Sequence, residues 1–127
     1  MALKSHAQSG RVLSYLEIEN EMIRLMNLQE EMTQHLAELA IVMSQAEADY
    51  KASFHVARYE ARTSSAAGIK VTADMAEDMA VMETADKRMR AETLRAEHDA
   101  TKQAILTARS NQESLRSLMA SYRESGG

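Results

Sequence analysis

The sequence contains no proline, no cysteine and no tryptophan, and only four of its 127 residues are glycine. Without cysteine the chain has no disulfide, no thiolate nucleophile and no cysteine–zinc site. Aromatic residues make up 4% of the chain, and the remainder is rich in alanine, glutamate, arginine, leucine and methionine, which are strong helix formers. This composition is typical of long-helix and coiled-coil proteins.

Long apolar runs are also missing. The longest uninterrupted run is Leu39 to Met43, which is far shorter than the stretch needed to cross a bilayer. The first ten residues contain no apolar core of the kind found in secretory signals. We therefore expect a cytoplasmic protein that does not associate with membranes.

Apolar residues in the first half recur at spacings of four and three, with one polar interruption at Gln29. This spacing places them on one face of a helix and predicts a helix over residues 11–65 that follows a heptad pattern. The row predicted to be buried, here called the first seam, is Ile18, Met22, Leu25, Gln29, Met32, Leu36, Leu39, Met43, Ala46, Tyr50, Ser53 and Ala57.

A turn is predicted over residues 66–72, where Gly68 can end a helix and Thr72 can cap the next one. The second helix is then predicted over 73–123, with flexible tails at 1–10 and 125–127. Its buried row is predicted to slip by steps of four between Ala100 and Ala108, which would locally unwind a supercoil. The full predicted row is Met75, Met79, Met82, Asp86, Met89, Thr93, Ala96, Ala100, Ala104, Ala108, Asn111, Leu115, Leu118 and Tyr122.

Charge favours pairing of the two helices. Residues 1–50 carry three Lys/Arg and eight Asp/Glu, and residues 87–123 carry eight Lys/Arg and four Asp/Glu. A chain that turns near residue 69 lays the acidic segment against the basic one. The predicted fold is therefore all-α: an antiparallel two-helix hairpin, that is, a long coiled coil, over residues 11–124.

The first helix carries a further set of apolar residues that one partner helix cannot cover. Large exposed apolar strips are rare on soluble monomers, so we predict that two hairpins assemble into a four-helix bundle as a homodimer. The alternative is that these residues are partly exposed or covered by residues 1–10. The predicted oligomer or partner interface, here called the second apolar row, is Leu16, Ile23, Met26, Ala37, Ala40 and Ile41.

Ten methionines lie mostly at predicted seam positions, where they serve either as a soft core or as an adaptable face for a partner helix. For Met75, Met79, Met82 and Met89 we predict the core. For Met22, Met26 and Met43 a dimer core and a partner groove remain equally open.

Catalytic and metal-binding patterns are weak. His35 and Glu38 share a helix face, but di-iron bundles need Glu-x-x-His on two helices and two further glutamates. Nucleotide-binding and zinc-protease motifs are absent from the sequence. We predict no catalytic, cofactor-binding or metal-binding residue, no cofactor and no enzymatic activity.

A basic residue recurs every seven positions in the second helix and could follow a phosphate backbone. Against this, the net charge is −4 and several of these residues have acidic neighbours four positions later. Binding of nucleic acid is therefore the alternative function. The basic row is Arg88, Arg95, Lys102, Arg109, Arg116 and Arg123.

Four segments resemble the small, uncharacterised all-helical accessory proteins of tailed bacteriophages. They are Ala-Asp-Tyr-Lys at 48–51, Val-Ala-Arg-Tyr-Glu-Ala-Arg at 56–62, Gly-Ile-Lys-Val-Thr at 68–72 and Ser-Leu-Met-Ala-Ser-Tyr-Arg at 117–123. The resemblance includes no diagnostic motif and transfers no functional residue. It implies an accessory role, and the leading prediction is a noncatalytic protein–protein interaction module that binds a host or phage protein. The alternative that it implies is a nucleic-acid-binding accessory protein in phage replication or recombination.

Overall fold

A computed structural model describes residues 13–63 and 70–125. Within these ranges the chain is all-helical and contains no strand. The helices are α1 (Tyr15–Thr63), α2 (Ala73–Glu83) and α3 (Ala85–Glu124). The chain divides into two compact units, a terminal unit formed by Met1–Gln34 with Lys102–Gly127 and a central unit formed by His35–Thr101.

The start of α1 is set by a capping box. The Ser14 hydroxyl accepts a hydrogen bond from the Glu17 backbone N–H at 3.2 Å, and the Glu17 carboxylate accepts one from the Ser14 N–H at 3.3 Å. These bonds satisfy donors that a helix start otherwise leaves without partners. Residues 13 and 14 are not helical, so the prediction that the helix includes them is wrong. The Ser-x-x-Glu pattern at 14–17 was the sequence signal that could have placed the start correctly.

The start of α2 agrees with the sequence prediction. The Thr72 side chain accepts a hydrogen bond from the Met75 N–H at 3.2 Å, and Asp74 lies in the first turn. An acidic residue there interacts favourably with the positive end of the helix dipole. Residues 64–69, which include Gly68 and most of the predicted turn, lie outside the described residues, as do the tails at 1–10 and 126–127.

The predicted second helix is divided in two at Thr84. This residue has φ −103° and ψ 12°, away from helical values, and its hydroxyl donates to the Ala80 carbonyl at 2.7 Å. Two helical backbone hydrogen bonds are kept here. The Thr84 N–H donates to the Ala80 carbonyl and the Arg88 N–H donates to the Thr84 carbonyl, both at 3.0 Å. A threonine hydroxyl that bonds to the carbonyl four residues earlier tends to bend a helix. The interruption is therefore confined to one residue.

The terminal unit has a core of large side chains. Its two segments run antiparallel, because Leu13 lies beside Tyr122 while Gln29 lies beside Gln112. The Tyr122 hydroxyl donates to the Leu13 carbonyl, and its ring meets Tyr15 edge-on at 6.4 Å between centroids. The buried cluster is Ile18, Leu25, Ala108 and Leu115, with Leu13, Met22, Met32, Met119 and Tyr122 packed against it.

The central unit is packed around alanine. Its segments are also antiparallel, since Glu47 pairs with Arg95 and Asp49 pairs with Lys87. Small buried residues allow helix axes to approach closely. Apart from Leu39, its buried residues are Ala46, Ala57, Ala61, Ala76, Ala80, Thr84 and Ala91.

The first seam is confirmed as the inward face of α1. Each of its twelve residues is buried or half-buried, from Ile18 to Ala57. Gln29 is the predicted interruption, and its side-chain N–H donates to the Gln112 side-chain oxygen at 2.8 Å. The polar position is therefore matched by a polar residue on α3 rather than left without a partner.

The predicted seam of the second helix is wrong along most of its length. The buried residues of α2 lie one position after the predicted ones. Most of the buried and half-buried residues of α3 also lie one or two positions after the predicted ones. No slip occurs between Ala100 and Ala108; the consecutive steps of four lie instead at Ala76, Ala80 and Thr84. The observed row is Ala76, Ala80, Thr84, Ala91, Leu94, His98, Thr101, Ile105, Ala108, Gln112, Leu115, Met119 and Tyr122.

Candidate protein-interaction surfaces

The second apolar row in the terminal unit is uncovered by the described chain. Leu16, Ile23 and Met26 are 65%, 52% and 55% exposed. Their spacing places them on a side of α1 turned away from Ile18 and Leu25, which are buried. The α3 segment of the same unit also exposes Leu106 and Leu118. The terminal unit therefore presents apolar side chains on both of its segments.

The remaining members of the row lie in the central unit. Ile41 is 62% exposed, Ala37 is exposed and Ala40 is half-buried. Two of the three are alanines, which bury little apolar area, so Ile41 is the member with most area to offer a partner. The predicted row thus places its larger apolar side chains in the terminal unit.

Four methionines predicted in the core are exposed, and that prediction is wrong. Met75, Met79 and Met82 of α2 are 45%, 49% and 80% exposed, and Met89 of α3 is also exposed. The buried residues of α2 are the adjacent Ala76 and Ala80, both with no accessible surface. The sequence prediction favoured the larger apolar side chain, whereas the neighbouring helix leaves room only for the smaller one. The run of alanines at spacing four was the signal for the buried face.

Acidic residues surround these methionines. Residues 73–86 contain Asp74, Glu77, Asp78, Glu83 and Asp86 and no Lys or Arg. All five are exposed, and none of them forms an ion pair with another described residue. The exposed surface of α2 is therefore both apolar and strongly acidic.

The basic row lies on the exposed surface of α3, where four members have polar partners. Arg95 pairs with Glu47 of α1, Arg116 with Glu113, and Arg88 with Glu92 at 3.9 Å. Arg123 donates to the Tyr15 hydroxyl at 3.3 Å. The hydrogen bond to Glu47, followed by the charge of that carboxylate, raises the pKa of Arg95 above its ordinary value.

Lys102 and Arg109 are the members of the basic row with neither an ion pair nor a side-chain hydrogen bond to any described residue, whereas Arg123 has the hydrogen bond to Tyr15 but no ion pair. Both side chains belong to exposed residues of α3. They are the positions at which the row could still bind an anion without breaking an existing pair. The alternative function therefore depends on two cations rather than on six.

Chemistry that requires a closed site has little support among the described residues. No group of three or more His, Asp or Glu side chains there is arranged to hold a metal ion. His35 forms a 3.4 Å contact with Glu97 rather than with Glu38. A concavity of ≈ 470 Å³ in the central unit is open to solvent and lined by His55, Arg58, Tyr59, Arg62, Ala73 and Glu77.

No helix of the described residues has an apolar stretch long enough to cross a bilayer. The exposed apolar side chains are instead interspersed with charged residues along each helix. Comparison with protein-family models, with curated proteins and with solved structures finds no match for this chain.

Proposed function

We propose that this protein is a noncatalytic protein–protein interaction module, a helical hairpin that self-associates as a homodimer. The observation that supports this most strongly is that most buried apolar side chains are small while many large ones are exposed. Among the described residues, seven of the twelve buried apolar residues are alanine, whereas large residues such as Leu16, Ile23 and Met82 are exposed. Contiguous patches of exposed apolar side chains mark interaction surfaces in soluble proteins.

The hairpin itself is supported by pairing within each unit. In both units α1 runs antiparallel to the segment packed on it, as the Leu13–Tyr122 and Glu47–Arg95 contacts illustrate. The first seam of α1 supplies the inward residues in both units. A coiled-coil hairpin accounts for these contacts with one turn between α1 and α2.

A second copy is the occupant proposed for the row Leu16, Ile23 and Met26. Residues 13–34 carry five glutamates and one arginine, a balance of −4, while residues 102–125 carry four basic and two acidic residues, a balance of +2. A second chain that packs antiparallel on the terminal unit would place its basic α3 segment against the acidic α1 segment. Its exposed Leu106 and Leu118 would then contribute apolar contacts.

An accessory role in a tailed bacteriophage and a cytoplasmic location belong to the same proposal and rest on the sequence resemblance and composition. In that role the module would bind a host or phage protein. The described surfaces fit such a role because they offer helix faces rather than a cleft.

The proposed dimer is tested by absolute mass from light scattering over a range of concentrations. We expect a mass near twice 14.2 kDa for the natural chain. Ile23→Asp combined with Met26→Asp should return the mass to that of one chain, because two charges would be desolvated in the interface. Val56→Asp combined with Tyr59→Asp is the matched control, since these two exposed residues of α1 have the same spacing as Ile23 and Met26 but lie in the central unit, outside the proposed interface.

Circular dichroism should show unchanged helix content in all variants, because the substituted residues are exposed. A natural chain that stays at 14.2 kDa across the concentration range would contradict self-association. A dimer that persists in the double variant would contradict the assignment of the row as its interface.

A further inference from the structure

The exposed methionines of α2 form a second candidate surface, distinct from the one proposed for self-association. Met75, Met79 and Met82 are spaced by four and three residues, which aligns them along one side of the helix. We call these three residues the methionine stripe. α2 buries the adjacent alanines, Ala76 and Ala80. Between 45% and 80% of each methionine is exposed, so the stripe is accessible to a partner.

The charge around the stripe has one sign. Asp78 lies three residues after Met75 and Glu83 directly follows Met82, so carboxylates lie on both flanks, and Asp86 continues the line of the stripe. Elsewhere in the central unit several acidic residues have cationic partners, as Glu47 has Arg95 and Asp49 has Lys87. The carboxylates beside the stripe have none among the described residues.

We infer that the methionine stripe binds an amphipathic helix of another protein whose polar face is basic. Methionine adapts its flexible, polarisable side chain to irregular apolar surfaces, and an apolar helix face is the usual partner of such a stripe. Lysine or arginine residues flanking that face would lie beside Asp78, Glu83 and Asp86. The inference rests on the proposed function, because it names the partner class of the same interaction module.

The charge and packing of the chain favour this occupant over others. The basic segment of α3 in a second copy already buries its apolar face, Ala108 and Leu115, against its own α1. Its two exposed leucines, Leu106 and Leu118, lie twelve residues apart and on different sides of the helix, so they form no apolar face that matches the three methionines. A membrane surface is disfavoured as well, because anionic lipid headgroups would repel the carboxylates.

The test uses a synthetic peptide of about 18 residues, five helical turns, made of leucine and lysine with the leucines at spacings of three and four. Two control peptides accompany it: one with glutamate in place of lysine, and one with the same composition in scrambled order. Binding to the full-length protein is measured by fluorescence anisotropy, and the contact is located from the methyl NMR signals of the methionines.

We expect the leucine–lysine peptide to bind, to shift the Met75, Met79 and Met82 methyl signals, and to weaken as salt rises. Met79→Gln combined with Met82→Gln should weaken binding by at least about tenfold, since two apolar contacts are lost. Asp78→Asn combined with Glu83→Gln should also weaken it and remove much of the salt dependence. Glutamine is a good helix former, so α2 should remain helical.

Ile23→Gln combined with Met26→Gln is the matched control, because it removes two exposed apolar residues from the other surface. It should lower the mass measured by light scattering toward that of one chain and leave the affinity for the peptide unchanged. Failure of the dimer proposal can therefore be distinguished from failure of the methionine-stripe proposal. The dimer proposal alone fails if this control changes no mass while the peptide still binds the stripe.

The inference is overturned if the glutamate or scrambled peptide binds as tightly as the leucine–lysine peptide, or if no peptide binds. It is also overturned if the methionine variant keeps full affinity. A methionine variant that loses mass in light scattering would likewise contradict it, because a second copy would then be the occupant of the stripe.

Discussion

Gln29 and Gln112 place two amides in the otherwise apolar packing of the terminal unit, where they bond to each other at 2.8 Å. The sequence prediction identified Gln29 as an interruption and placed Asn111, not Gln112, in the buried row of the second helix. In the structure the residue facing Gln29 is Gln112, one residue later. A single polar pair at such a position fixes the register of two helices, since any slip would leave both amides against apolar side chains.

Replacing one amide of this pair should cost more than replacing both. Gln29→Leu leaves the half-buried Gln112 amide without its partner, which we expect to lower the free energy of unfolding by about 1–2 kcal/mol. Gln29→Leu combined with Gln112→Leu should restore or exceed the original stability, because two matched apolar side chains then pack together. Urea denaturation of the four proteins in a double-mutant cycle measures the coupling.

The control for this cycle is Gln103→Leu, which changes an exposed glutamine on α3 and should leave stability nearly unchanged. Equal losses for both single variants and an additive loss for the double variant would mean that the two amides do not interact.

At the scale of the helices, the sequence predicted the buried face of α1 correctly, because the largest apolar residues of that face also recur at helical spacing. In α2 and α3 side-chain size and helical spacing indicated different rows, because the largest apolar residues form one row and the alanines form the adjacent row. A row can be recognised by its period, but which of two adjacent rows is buried depends on the space beside the partner helix. The consecutive steps of four at Ser53, Ala57 and Ala61 match those at Ala76, Ala80 and Thr84 in the same unit. Neither helix alone reveals this match.

The sequence predicted the exposure of one candidate surface, the second apolar row, better than that of the methionine stripe. Leu16, Ile23, Met26 and Ile41 were recognised because one partner helix cannot cover two apolar rows, and all four are exposed. The methionine stripe was assigned to the core, because a sequence window reports hydrophobicity and not the direction of the neighbouring helix.

The alanine packing of the central unit should tolerate no larger side chain. Ala80→Leu introduces a larger side chain at a site with no accessible surface, and we expect overpacking to cost about 1–3 kcal/mol of stability. Ala85→Leu is the matched control, since Ala85 is exposed at the start of α3 and the same substitution should change stability by less than about 0.5 kcal/mol. Thermal or urea denaturation followed by circular dichroism distinguishes the two. Equal effects would mean that α2 does not pack through Ala80.

At the scale of the whole molecule, charge favours the proposed protein-interaction function over nucleic-acid binding, because the net charge of −4 opposes nonspecific binding to a polyanion. Four of the six residues in the basic row already have polar partners, and only Lys102 and Arg109 have none among the described residues. Two phosphate contacts supply little affinity and a shallow salt dependence. We therefore expect no measurable binding to a labelled DNA duplex by anisotropy at about 0.15 M salt, the physiological ionic strength.

The decisive variant for this alternative is Lys102→Glu combined with Arg109→Glu, which reverses two charges without breaking an ion pair between described residues. Lys51→Glu combined with Arg62→Glu is the control, because it makes the same change in net charge on exposed residues of α1. If weak binding at low salt reflects net charge alone, both variants should reduce it equally. Binding that persists at physiological salt and is lost only in the α3 variant would show that the basic row binds a phosphate backbone. The nucleic-acid function would then replace the protein-interaction function proposed above.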